Sequence, residues 1–538
     1  MHGNVLAVSN LYVDYQSPNG KTTVLENLSF SLPSGHILGV AGESGSGKTT
    51  IALALMRLIS RQKADIKGCA HFKSDENNSL DLLSAPDSEM EAIRGRKISM
   101  VFQEPRSAFN PLLTCGNQIA ETIRRHLGVS KSESVLLTKE WLAKTDLSEP
   151  ERIFHSFPHQ LSGGQLQRTM IAMALCCRPS LLMADEPLAS SDYSNHQSLL
   201  KLFRKLKEEI GLSIIFISHD FSAIEQIADS VLVLNRGRLV EQGQVKEIIH
   251  SPKNYYTLQL VESRIDRKES IKESATERAE QMDKLPVLTV KHLKKIFKER
   301  NAISGEVLNS KVAVQNLTFE LFQGETLGVT GNSGSGKTTL ARCLCGLLEI
   351  DEGEIKFKHK NFFTDTKKSF SSMAKGKVQI IFQNPDISLN PKQTIGEAIM
   401  EPLKYFGSHG GISEQKKYVL KFMEKAGLES CLFDRFPHQL SGGQKQRAVI
   451  LRALVMQPEV LICDEPVAAL DAVIQLQILK QLNDLKQTFG FAMIFISHDW
   501  PVVKYMSDRI MLMEKGTLKH ISKPEILLEL LNSEQAVH

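Results

Sequence analysis

Apolar residues in this chain gather in short aliphatic runs separated by stretches with helical spacing, and the same succession occurs twice. His36–Ala41 and Thr326–Thr330 read as buried strands that enter a glycine-rich turn. After each turn, Thr50–Ile59 and Thr339–Leu348 place Leu, Ala and Met at helical intervals. Leu181–Ala184 and Val460–Cys463 follow as strands, then Ser213–Ile217 and Ala492–Ile496, with amphipathic segments between them. Strand alternating with helix predicts a mainly parallel sheet with crossover helices. Apolar runs such as Ile214–Ile217 and Ala492–Ile496 are short and end at polar residues, and no stretch approaches the roughly 18 residues that span a bilayer.

The repetition sets the domain plan. With 538 residues the chain exceeds what one hydrophobic core serves. We expect a first domain over 1–261, a linker over 262–285 and a second domain over 286–538. Glu262–Lys284 carries 13 charged residues among 23, of both signs, too few of them apolar to offset ordering entropy. Net charge is +4, which does not call for nucleic acid as a partner. The eight cysteines include no CxxC pair, so reduced thiols are expected rather than disulfides or zinc. The N-terminus lacks a basic segment followed by an apolar one, so no secretory signal is expected.

The candidate chemistry is also duplicated. Gly42–Thr49 (GESGSGKT) and Gly331–Thr338 (GNSGSGKT) join a strand to a helix through glycines, letting backbone N–H groups converge on phosphate. The phosphate-cradling residues are Gly42, Ser44, Gly45, Ser46, Gly47, Lys48, Thr49 and Thr50, with Gly331, Ser333, Gly334, Ser335, Gly336, Lys337, Thr338 and Thr339 in the second copy. The lysines would meet the β- and γ-phosphates of ATP, and Thr49 and Thr338 would offer hydroxyls to Mg²⁺.

Two adjacent acids close the next strand in each copy. Asp185 and Asp464 suit Mg²⁺, and Glu186 and Glu465 suit a general base that polarises water. Solvated loop charges would read the same in isolation, but not beside a phosphate loop. His219 and His498 close identical FISHD segments, which favours a γ-phosphate contact over a structural histidine. Gln103 and Gln383, in MVFQEP and IIFQNP, could meet Mg²⁺ or the water. LSGGQ, at Leu161–Gln165 and Leu440–Gln444, presents a serine and two glycines at a helix start, a second phosphate-binding surface. One γ-phosphate does not need two such loops from one domain, so a head-to-tail pairing of the two halves is expected.

Together these motifs resemble the nucleotide-binding domains of ABC ATPases, over almost all of the chain outside the linker. The resemblance implies an α/β fold of two tandem P-loop NTPase domains, each with a mainly parallel sheet core, an antiparallel β region and a helical subdomain. It also implies signature-loop contacts from Ser162, Gly164, Ser441 and Gly443, D-loop aspartates Asp192 and Asp471, and adenine stacking by Tyr15 and Phe297. The segments around Gln103 and Gln383, together with SPKNYYTLQL at 251–260, are similar to importer ATPases for oligopeptides, dipeptides and nickel, here fused as in glutathione-type importers. Ser191 stands where a leucine is expected in the first D-loop, and the cysteine-bearing extension of many relatives is missing, so no iron–sulfur cluster is expected.

The resemblance thus implies an ATP-hydrolysing importer motor at the cytoplasmic face of the inner membrane. Its partners would be two integral-membrane permease subunits and an extracytoplasmic substrate-binding protein, with no direct contact to the transported solute. A soluble tandem ATPase acting on ribosomes or another macromolecule is the alternative; the short linker, lacking a helical hairpin, disfavours it. A DNA-repair ATPase would bring large zinc-bearing insertions, and an exporter would more often carry membrane helices in the same chain.

Overall fold

A computed structural model describes all residues except 1–2, 18–19, 61, 76–77, 189–192, 264–284, 301–306, 333, 359, 362, 365–368, 371–375, 407–409, 469 and 528–538. The expected linker at 262–285, Ser191, Asp192 and Ser333 therefore lie wholly or mostly outside the described residues. Contacts gather the rest into two compact units, before and after that stretch in all but a few residues.

In the first unit a six-stranded sheet runs in the order Arg238–Gln244, Ser230–Asn235, Ile37–Ala41, Ser213–Ile217, Leu181–Asp185, Ile98–Val101. All neighbours are parallel except the Arg238–Gln244 edge strand. Strands buried on both faces need unbroken apolar runs, and Ile37–Ala41, Leu181–Asp185 and Ser213–Ile217 are buried at every position. A separate four-stranded antiparallel sheet is built from Gly20–Pro33, Asn4–Ser17, Ala64–Asp75 and Asn78–Asp81. Helices Cys115–Leu127, Lys131–Lys144 and Pro150–His155 pack together as the helical part, around Ile119, Ile123, Trp141, Leu142 and Phe154.

The second unit repeats this plan. Its six-stranded sheet is ordered Val378–Ile381, Val460–Asp464, Ala492–Ile496, Thr326–Thr330, Arg509–Glu514, Thr517–Ser522. Its antiparallel sheet joins Val307–Phe322, Pro286–Arg300, Glu352–Phe357 and Lys360–Asn361. Helix Tyr255–Ser263 is the last described element before residues 264–284, and strand Pro286–Arg300 the first after them.

The helices after the glycine loops differ from expectation at both ends. They span Lys48–Leu55 and Lys337–Leu344, starting from the left-handed glycines Gly47 and Gly336. Arg57 at φ 50° and Gly346 at φ 70° turn the chain out of the helix, leaving Leu58, Ile59, Leu347 and Leu348 beyond it.

Candidate active site

Each glycine loop leaves the carboxyl end of a central strand, where open α/β sheets place their ligands. Gly42 has φ 152°, and a Cβ there would stand 2.4 Å from the Leu234 carbonyl oxygen and 2.7 Å from Ser46 Oγ. Gly331 is confined the same way by the Met513 carbonyl, 2.1 Å from such a Cβ. Only a residue without a side chain fits, so the loop closes into a small cradle. Lys48 folds back over it, its Nζ donating to the carbonyls of Gly42 and Glu43 at 2.7 and 2.8 Å. Lys337 repeats this with Gly331 and Asn332 at 2.7 and 3.0 Å. Burial holds the Lys48 ammonium below its ordinary pKa, against the pull of Glu186 and Asp185. Among the described residues the buried Ser46 Oγ has no hydrogen-bond partner, a polar atom facing a cradle that phosphate oxygens would satisfy.

The acids stand on the neighbouring strand end but one. Thr49 donates its hydroxyl to Asp185 at 3.0 Å, and Thr338 to Asp464 at 3.3 Å. Burial pushes the Asp185 carboxyl up to about 6 and raises that of Asp464 as well, a shift that a cation at the carboxylate would reverse. Hydroxyl, carboxylate and the amide oxygen of Gln103 or Gln383 form a hard oxygen set, which fits Mg²⁺.

Glu186 and Glu465 sit one residue on, both in the left-handed region at φ 44° and 50°. Their N–H groups donate to Ile217 and Ile496 on the adjacent strand, each at 3.0 Å, which secures this uncommon backbone. The turn brings each carboxylate to a histidine: Glu186 to His219 Nδ1 at 2.6 Å, Glu465 to His498 Nδ1 at 3.0 Å. Gln383 donates to the second oxygen of Glu465 at 2.8 Å. Among the described residues Gln103 makes no such bond to Glu186.

Ser162 and Ser441 are exposed N-caps of the helices Gly163–Leu175 and Gly442–Leu454. Each hydroxyl accepts the backbone N–H of Gln165 or Gln444, whose side-chain oxygen accepts the serine N–H in return. Gly164 and Gly443 lie in the first helical turn. Asp471 stands just before helix Ala472–Phe489. Tyr15 packs partly buried against the core under the antiparallel sheet, while Phe297 is 43% exposed, with Lys295 Nζ 5.9 Å above its ring. Thr50 and Thr339 are half-buried in the first turn of their helices.

Sequence reasoning passed over Gln167. Its buried amide donates to the carbonyl of Pro187 at 2.8 Å, tying the helix after LSGGQ to the Asp-Glu-Pro turn within one unit. Its only signal was a polar residue on the apolar face of a helix.

Comparison with known proteins agrees with this arrangement. The family described as "ABC transporter" matches residues 25–189 and 314–468, one segment in each unit. The glutathione import ATP-binding protein GsiA of Escherichia coli strain K12 is 39% identical over 98% of this chain and 87% of its own length. GsiA of Salmonella typhimurium is 38% identical over the same shares. An ATP-binding cassette bound to ADP and Pi in a post-hydrolysis state aligns with 44% of this chain and 98% of its own, at 27% identity and a TM-score of 0.39. The family match in both units and the 39% identity to GsiA, with the duplicated cradle and the two acid–histidine pairs, make the chain a member of the ABC transporter family, an ATP-binding protein with two cassettes in tandem.

Proposed function

We propose that this chain is the ATPase motor of an importer for peptides or related small solutes, working with a separate permease of two integral-membrane subunits and an extracytoplasmic binding protein. The observation that carries the reading is the same constellation in both units: a phosphate cradle under Lys48 or Lys337, an Asp held by the loop threonine, and a Glu held by a histidine. The name of its relatives, glutathione import ATP-binding protein, supports a small peptide-like solute. Among the described residues no helix is long and apolar enough to cross a membrane, which suits a motor that attaches to the cytoplasmic face of its permease.

In the hydrolytic step the residues have separate tasks. The loop N–H groups and Lys48 or Lys337 bind the β- and γ-phosphates of ATP. Thr49 with Asp185, and Thr338 with Asp464, would hold Mg²⁺, with Gln103 or Gln383 in reach. Bound there, Mg²⁺ supplies charge neutralisation on the phosphate oxygens. Glu186 or Glu465 accepts a proton from water as the water oxygen bonds to the γ-phosphorus and the bond to the bridging β-phosphate oxygen breaks, leaving ADP and phosphate. His219 or His498 orients that carboxylate and stands ready for the γ-phosphate. Tyr15 and Phe297 would stack on adenine, and Ser162, Gly164, Ser441 and Gly443, with Asp192 and Asp471, would complete the ATP contacts.

Coupling to the permease is assigned to the surface beside the glutamines. In the second unit a cavity of about 690 Å³ is lined by Gln383, Asn384, Ile387, Asn390, Arg452 and Asp464. Ile387 is 83% exposed at its rim, an apolar contact for a short permease helix. Work is obtained only if ATP and its products favour different states of the motor.

The test is to purify a tagged Glu186→Gln, Glu465→Gln chain with ATP from detergent-solubilised membranes of its host and identify co-purifying proteins by mass spectrometry. Two polytopic membrane subunits support the importer reading. Ribosomal proteins in their place would move the function to a soluble ATPase and leave only the chemistry standing.

A further inference from the structure

We infer that Tyr256 is a positioning residue for the first phosphate loop, setting nucleotide affinity at that site through a hydrogen bond that has no counterpart among the described residues of the second unit. The inference rests on the reading of Gly42–Thr49 as an ATP cradle. The backbone N–H of Glu43 donates to Tyr256 Oη at 2.9 Å, across 213 residues of chain. On its other side the Glu43 carbonyl accepts Lys48 Nζ at 2.8 Å and the Ser46 N–H at 3.1 Å. One peptide residue thus stands between the tyrosine and the phosphate-binding lysine.

The tyrosine is itself held firmly. It sits in helix Tyr255–Ser263, whose approach is fixed by the Glu241 carboxylate on the edge strand Arg238–Gln244. That carboxylate accepts the N–H groups of Lys253 at 2.9 Å and Asn254 at 3.1 Å. Asn254 Oδ1 then accepts the Tyr256 N–H at 2.8 Å. Thr257 and Leu260 are buried on the face that meets the core, and the Tyr256 ring packs partly buried against the same cluster. Burial pushes the phenol up to about 12, so it remains a neutral O–H throughout the physiological range. A stiff arm therefore reaches the first limb of a loop that must keep several N–H groups aimed at one anion.

The second unit supplies the contrast. Lys337 makes the same two carbonyl bonds as Lys48, so the lysine geometry itself needs no tyrosine. Asn332 takes the place of Glu43, and among the described residues its N–H has no tyrosine partner. What the hydroxyl adds is preorganisation of the loop before nucleotide arrives, which acts on binding rather than on the chemical step.

The experiment measures binding of a fluorescent N-methylanthraniloyl ATP to the full chain. A Lys337→Ala background leaves the first site to report, a Lys48→Ala background the second, each with and without Tyr256→Phe. Losing one hydrogen bond of ordinary strength should weaken the first site by about threefold to tenfold. The second site should not move, and maximal turnover in the otherwise unaltered chain should change less than KM for ATP. An unchanged first site, or equal weakening of both, overturns the inference; equal weakening would mean that Tyr256 serves general stability only. Wild-type chain that binds no analogue would sink the ATP reading and this inference with it. A check that needs no variant is amide exchange at Glu43 in the wild type. Exchange as fast as an open loop N–H, rather than protected, also overturns the tether.

Discussion

Nδ1 of His219 lies 2.6 Å from Oε2 of Glu186, and the pair recurs as His498 and Glu465 at 3.0 Å. Burial works to raise the Glu186 carboxyl, yet the bond and charge of His219 outweigh it and hold the group below its ordinary value. At Glu465 the bond from His498 is the largest influence and acts in the same direction. Each histidine is raised in turn by its glutamate. A carboxylate kept charged and in one rotamer is preorganised to take a proton from water. Among the described residues the two units are not identical here: Glu186 has one oxygen engaged, whereas Glu465 has His498 on one and Gln383 on the other. In the second unit the glutamate therefore carries one more donor than its counterpart in the first.

Replacing Glu186 and Glu465 together with Gln keeps the shape and removes the base. Hydrolysis should fall by about 10²- to 10⁴-fold while ATP still binds, because the cradle and its lysine are untouched. Phosphate release and equilibrium binding, measured on the same preparation, separate the two effects. Turnover at the wild-type rate would remove the glutamates from the mechanism.

Two glycines of the same loop should respond very differently to alanine. At Gly45, φ 78°, a Cβ would meet nothing within 4 Å, so Gly45→Ala should cost about 1 kcal/mol of backbone strain. At Gly42 the Cβ would overlap the Leu234 carbonyl, part of a strand that cannot withdraw. Gly42→Ala should therefore destabilise by more than about 3 kcal/mol or abolish nucleotide binding by distorting the loop. Thermal melts with and without ATP decide the order. Equal effects at the two positions would contradict the account.

How much of this was legible beforehand depends on whether a feature is local. Strands Thr326–Thr330, Ser213–Ile217 and Ala492–Ile496 match the apolar runs residue for residue, since a strand buried on both faces declares itself in composition. The ends of the helices after the glycine loops were misjudged because Arg57 adopts a left-handed conformation that its side chain does not announce. Glu43 lies within GESGSGKT and Tyr256 within SPKNYYTLQL, but neither motif announces the bond between them, and Gln167 carries no motif of its own. Their roles come from bonds between segments far apart in the chain, visible only once the sheet has brought those segments together. The acid–histidine pairs lie between these extremes: duplication exposed the residues, but the left-handed turn that joins them at Glu186 and Glu465 had no signature.

Ser162 does two things that mutation can separate. As an N-cap it accepts the Gln165 N–H at 3.3 Å, so Ser162→Ala should lower stability by about 1 kcal/mol. The hydroxyl is exposed and still has its own hydrogen to donate. If it also donates to ATP, hydrolysis should drop roughly 100-fold, more than the loss of a cap explains. Ser162→Asp restores the cap but places a negative charge where phosphate is expected. It should recover the melting temperature without the activity. Recovery of both would leave Ser162 a capping residue only.

The arm that carries Tyr256 should also respond to acid, in a definite direction. Burial tends to raise the Glu241 carboxyl, but the Thr257 hydroxyl, the N–H groups of Lys253 and Asn254 and the Lys253 charge prevail and hold it below its ordinary value of 4.5. A carboxyl whose folded pKa lies below its unfolded one adds stability above the unfolded value and loses it as pH falls through the folded one. Glu241→Gln cannot offer two charged oxygens to the two N–H groups, so it should melt below wild type at about pH 7. The gap should narrow as the solution is taken below pH 4.5 and close once wild type is protonated through its lowered folded pKa and has lost the same charge. The protection factor of the Glu43 amide, with the intrinsic pH dependence of exchange divided out, should fall over that acid range in the wild type and already be lower in Glu241→Gln at neutral pH. A melting gap that stays constant from neutral to acid would show that the carboxylate charge does not hold the arm, and that packing of Thr257 and Leu260 suffices.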